Sequence, residues 1–133
     1  MTPLSRRALV GWVRWAGGVV FILGLLGLFR GHFSDFLGHE GVSILGFTGS
    51  PLTNVIHLLA GLTLIAVLGS LAATRTAGLA LGIGFTVFGL LEFVLGDGTA
   101  DIFGRNTRMG VLDLVIGLTG LAVWFWERAE RTD

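Results

Sequence analysis

Cysteine is absent from the 133 residues, and so is lysine: all nine basic residues are arginine, matched by nine acids. The first absence excludes disulfides, thiolate nucleophiles and Cys-ligated metals. The net charge is zero and no run of like charge is longer than Arg6-Arg7, so nucleic acid is not an expected partner. Charge is scarce altogether, at 14% of residues against 53% apolar and a mean hydropathy of +0.82. A water-soluble chain of this length must keep polar groups over much of its surface, and these cannot cover it. The solvent is therefore lipid. No Gly-rich phosphate loop, nucleophile with a base, H-E-x-x-H or paired-carboxylate pattern occurs, so no enzyme is expected.

Apolar stretches at about 8–29, 52–73, 77–96 and 107–126 are long enough to cross ~30 Å of hydrocarbon, which takes ~20 residues in a helix. Ser5-Arg6-Arg7 weakly resembles a twin-arginine export signal, but Arg14 interrupts the apolar run and no A-x-A site follows, which favours an uncleaved first span. The first two spans are separated by an interfacial loop, 30–51, whose segment 41–47 is apolar enough to lie on the membrane or dip into it as a short helix. Residues 74–76 are the whole link between spans two and three, which forces an antiparallel hairpin.

Arginine counts orient the chain. Arg6, Arg7, Arg14, Arg75, Arg128 and Arg131 fall on one side, and Arg30, Arg105 and Arg108 on the other. The richer side, with both termini, is expected in the cytoplasm. Trp12 and Trp15 begin the first span and Trp124 and Trp126 end the last, which predicts one tryptophan belt at that interface.

An internal repeat is visible. The thirteen residues from Val55 to Val67 match those from Val111 to Val123 at seven positions, which sets Gly61 on Gly117 and His57 on Asp113. Spans one and three follow more faintly, with Gly17 on Gly82, Gly24 on Gly89 and Gly27 on Glu92. Two helices per unit restore the starting orientation, so the expected architecture is an all-α, four-transmembrane-helix bundle. It consists of two similar helical hairpins about a pseudo-twofold axis along the membrane normal. At ~100° per residue these glycines, with Gly110 and Gly120, share stripes that let helices approach closely, because lipid supplies no hydrophobic force between them.

Three ionisable residues lie inside spans: His57, Glu92 and Asp113, with Asn54 one turn from His57. All three stand roughly 6 to 9 Å from the same end of the bundle. Buried ionisable groups in lipid need partners, so His57 is expected to meet one or both acids, and Arg108 can reach Asp113. Such a cluster serves as a polar clasp, as an axial ligand site at His57 for haem or a chlorophyll-type pigment, or as a proton or small-ion pathway. His32, Asp35, His39 and Glu40 in the loop could share a helical face, but nothing fixes them as a metal motif, and no metal is expected.

Gly38-His39-Glu40, Leu45-Gly46-Phe47, the run from Leu52 to Gly61 with its N-x-x-H-L-x-x-G core, Asn106-Thr107, Leu112-Asp113-Leu114 and Gly117 together resemble a known family. It is the bacterial four-helix membrane family catalogued as domain of unknown function 4383. The resemblance implies a four-span fold and no activity. In that family the second repeat usually reads N-T-x-D-N-x-x-H, whereas here Arg108-Met109-Gly110 intervenes and Asp113 replaces the second His. The expected role is a non-enzymatic accessory or structural subunit in a bacterial cytoplasmic membrane. It would contact the lipid bilayer and pack on other integral membrane subunits or on further copies of itself.

Overall fold

The computed structural model describes residues 3–31, 36, 41–95 and 106–132. Helix α1 (Pro3–Arg30) leads into a two-stranded antiparallel hairpin, β1 (Val42–Ile44) and β2 (Phe47–Gly49). Helices α2 (Pro51–Ala66), α3 (Leu71–Leu95) and α4 (Thr107–Thr132) follow. Four helical segments among the described residues are long and apolar enough to cross a membrane: Leu4–Arg30, Pro51–Gly69, Leu71–Leu95 and Thr107–Thr132. By that length and apolarity the chain is a multi-pass membrane protein in contact with a lipid bilayer.

Helix α1 packs chiefly on α2 and α3 chiefly on α4, and the two pairs meet mainly along α1 and α4. Glycines set both close pairs. A Cβ on Gly24 would lie 2.5 Å from Asn54 O and Leu58 N, and one on Gly61 would lie 2.6 Å from the Phe21 backbone. In the second pair, a Cβ on Gly89 would lie 2.7 Å from Leu114 N, and one on Gly117 would strike the Thr86 backbone. Gly17 faces Leu64 and Ile65, and Gly82 faces Leu121. Backbone-to-backbone contact of this kind leaves no room for a side chain to turn aside. The core between the pairs is built from Val13, Ala16, Val20, Leu64, Phe85 and Ile116.

The turn between α2 and α3 comes earlier than residues 74–76, where the sequence places it. A 3-10 turn at Val67–Gly69 ends the second span, and residues 74–76 already belong to α3. Ser70 decides this. Its hydroxyl accepts the Ala73 N–H at 3.3 Å, and the Thr74 hydroxyl stands 2.9 and 2.8 Å from the carbonyls of Val67 and Ser70. The turn is thus capped by side chains while hydropathy runs on through Leu71, which hides the break.

Segment 41–47 forms no helix. Leu45 and Gly46, with φ of 53° and 87°, make the two-residue turn of the β-hairpin, both in the left-handed region that a primed turn requires. Gly46 adopts it without cost, and Leu45 is held there by the pairing of Ile44 with Phe47.

Candidate functional site

Ser50 and Asn106 open α2 and α4 in the same manner. The Ser50 hydroxyl accepts the Thr53 N–H at 3.3 Å, and Asn106 Oδ1 accepts the Met109 N–H at 3.0 Å. Asn106 also holds the β-hairpin, with its Nδ2 donating to Gly46 O at 2.8 Å and its Oδ1 accepting from Thr48 N at 3.3 Å. These caps fix the start of each helix, and hence the height at which the buried polar residues stand.

Two turns into α2, His57 is fully buried, and two turns into α4 so is Asp113. His57 Nε2 stands 2.9 Å from Asp113 Oδ1. In the neutral tautomer with its proton on Nε2, the imidazole donates this bond and Nδ1 is the lone-pair nitrogen. Nδ1 is buried and has no hydrogen-bond partner among the described residues. The imidazole stacks on Phe85 at 5.8 Å between centroids and meets Phe88 edge-on at 6.2 Å. One hydrogen-bonded edge and two aromatic neighbours hold the ring between the two helix pairs.

Of the other members of the expected cluster, Glu92 packs on α4 one turn from Asp113, while Asn54 and Arg108 turn toward the hairpin. Glu92 is buried, but its Cβ and Cγ lie against α4 where a side chain on Gly110 would have to go, so it closes the α3–α4 pair. Asn54 donates to Gly49 O at 3.4 Å and fills the space above Gly27, which ties α2 to β2 and α1. Arg108 does not turn down to Asp113, since its guanidinium rests on the hairpin turn at Gly46. His32, Asp35, His39 and Glu40 lie outside the described residues. Among the described residues no group of three or more His, Cys, Asp or Glu is placed to hold a metal.

The tryptophans divide. Trp15 and Trp126 are half exposed, whereas Trp12 and Trp124 are buried and make no exposed belt with them. Trp12 lays its ring over Gly120, where any Cβ would collide with it, and donates Nε1–H to Thr119 Oγ1 at 3.1 Å. It is a wedge between α1 and α4.

A second polar centre escapes the sequence. Glu127 is fully buried near the end of α4, where Arg75 Nε donates to its Oε1 at 2.7 Å and Arg131 Nε reaches its Oε2 at 3.1 Å. The signal is there in the α4 stripe, which runs Gly110, Asp113, Gly117, Gly120, Trp124 and then Glu127 at helical spacing. Ending the span at residue 126 and treating 74–76 as a loop conceals both halves of the pair.

No curated protein and no solved structure matches the chain. The family model described as Domain of unknown function (DUF4383) matches residues 12–126, from the Trp12 wedge through all four helices to just short of Glu127, and the chain belongs to that family.

Proposed function

We propose that the protein is a non-enzymatic packing subunit of a bacterial cytoplasmic membrane, built from two copies of one helical hairpin and held by internal polar clasps. The observation that carries this reading is the His57–Asp113 pair, in which two ionisable groups satisfy each other at 2.9 Å in fully buried positions. A pair of this kind joins helices across the bundle interior. Three grooves among the described residues are lined at Val111 and Val115, at Leu79 with Arg75, and at Leu81 with Phe88, and the last reaches the two rings that pack on His57.

Matched contacts support the two-copy architecture. Ser50 and Asn106, Asn54 and Gly110, Leu58 and Leu114, and Gly61 and Gly117 hold the same places in contacts made by α2 and α4. Gly17 and Gly82, Gly24 and Gly89, and Phe21 and Thr86 do so in α1 and α3. His57 and Asp113 stand at that same spacing of 56 residues and touch. Equivalent residues of two related units meet only near the axis that relates them, which favours a pseudo-twofold along the bundle.

Exposed apolar faces remain on every span, including Leu59 and Leu62 of α2 and Val87 and Leu90 of α3, and these meet lipid, neighbouring subunits or a second copy. The test is purification in mild detergent followed by native mass spectrometry and an absorption spectrum. A colourless, stoichiometric assembly with another integral membrane protein or with itself supports the reading, and a lone monomer overturns it. A second reading, His57 as axial ligand to haem or a chlorophyll-type pigment, is favoured by the free Nδ1, since ligating imidazoles characteristically give their other nitrogen to a carboxylate. A visible absorption band lost in His57→Ala would establish it.

A further inference from the structure

A groove of about 400 Å³ runs down the outer side of α4. Phe47 of the hairpin, Thr107 and Arg108 form its mouth, and Val111, Val115 and, from α1, Trp15 form its walls. From Thr107 to Val115 the helix rises about 12 Å, the length of a good part of one acyl chain. The walls are apolar and half exposed, with Trp15 at 50% and Val115 at 45%, so the groove opens sideways into the hydrocarbon layer.

The mouth is different in kind. Arg108 is exposed at the first turn of α4, where the helix dipole adds to its positive charge, and it has no ion-pair or hydrogen-bond partner among the described residues. Its guanidinium rests on the hairpin turn at Gly46, which Asn106 ties to the same helix end, so the charge is held at the top of the apolar shaft. A cation fixed above an acyl-sized slot is complementary to an amphiphile with an anionic head.

We infer that this groove is a site for an anionic glycerophospholipid of the surrounding leaflet, with its phosphate on Arg108 and Thr107 and one acyl chain laid along α4 to Trp15. A free phosphate would leave the apolar walls unused. A zwitterionic lipid would bring its own cation to Arg108. The site is independent of the clasp role and of any partner subunit.

Trp15 supplies the readout. The full-length protein in mild detergent is titrated with phosphatidylglycerol or phosphatidylcholine carrying brominated acyl chains, which quench tryptophan on contact. The quenching lost in Trp15→Phe isolates the signal from this groove. Phosphatidylglycerol is expected to quench Trp15 at about fivefold lower mole fraction than phosphatidylcholine, the preference one interfacial arginine supplies. Arg108→Gln should abolish the preference without changing the melting temperature, Val111→Phe should weaken quenching by both lipids, and inorganic phosphate should not compete. Equal quenching by the two lipids, a preference that survives Arg108→Gln, or displacement by inorganic phosphate would overturn the proposal. So would a dimer in which a second copy shields Trp15 from either lipid.

Discussion

His57 on α2 and Asp113 on α4 meet at 2.9 Å across the interior of the bundle, although their helices otherwise make little contact. The pair therefore bridges the two helix pairs where backbone packing does not. Removing one partner breaks a buried ionisable pair, which characteristically costs ~3 to 5 kcal/mol. His57→Ala and Asp113→Ala should each lower the melting temperature in detergent sharply, and the double variant should lose less than the sum of the two. The exchange His57→Asp with Asp113→His keeps both partners of the pair and should recover part of the loss. Additive losses, or no recovery on exchange, would refute the clasp.

Glycines at the helix contacts should be intolerant where others are not. Gly61→Leu, Gly117→Leu and Gly24→Leu each force backbones apart and should cost ~1 to 3 kcal/mol or more. At Gly11, Gly18 and Gly84 an added Cβ would meet nothing within 4 Å, so leucine there should leave thermal unfolding nearly unchanged. Equal damage at both sets would mean that lipid exposure, not packing, governs these positions.

Glu127 should matter to folding despite its place near the chain end. Glu127→Gln withdraws the charge that holds Arg75 and Arg131, at a cost of ~1 to 3 kcal/mol after allowance for the partial exposure of both arginines. Arg75→Gln should be more harmful than Arg131→Gln, since Arg75 is 23% exposed and Arg131 36%. Reversal of that order in detergent melts would count against the assignment.

Asn106 serves a helix cap and the hairpin together. Asn106→Ala should cost ~1 to 2 kcal/mol through the cap, and it should also free the hairpin, seen as faster amide exchange at Thr48. Leu45→Asn, which suits a left-handed turn position better, should instead slow exchange in the hairpin.

Orientation can be read with single cysteines, because the native chain has none. If the arginine-rich side is cytoplasmic, Thr132→Cys should be shielded from an impermeant thiol reagent in intact cells while Ser43→Cys labels. The opposite pattern would invert the topology.

Much of this molecule is legible in its residues alone. Four apolar runs longer than a hydrocarbon core can only be helices, since lipid offers no partner to an unpaired peptide group, and Gly61 and Gly117 mark contact faces because nothing larger fits between touching backbones. His57, Glu92 and Asp113 are conspicuous as ionisable groups inside those runs. What hydropathy does not carry is anything decided by a single hydrogen bond. Ser70 ends the second span among apolar residues, and Asn106 holds segment 41–47 as a hairpin. Partner choice is equally invisible. Three ionisable residues at one depth permit several pairings, and only the crossing of the two helix pairs brings His57 Nε2 to Asp113, with Glu92 packed over Gly110 one turn away. The Arg75–Glu127 bond likewise exists because α3 begins early enough to carry Arg75 alongside α4. Composition and spacing dictate which segments enter the membrane and which faces touch. Side-chain pairing depends on helix register and crossing, which exist only once the four helices have packed, and so it is settled at the level of the assembled bundle.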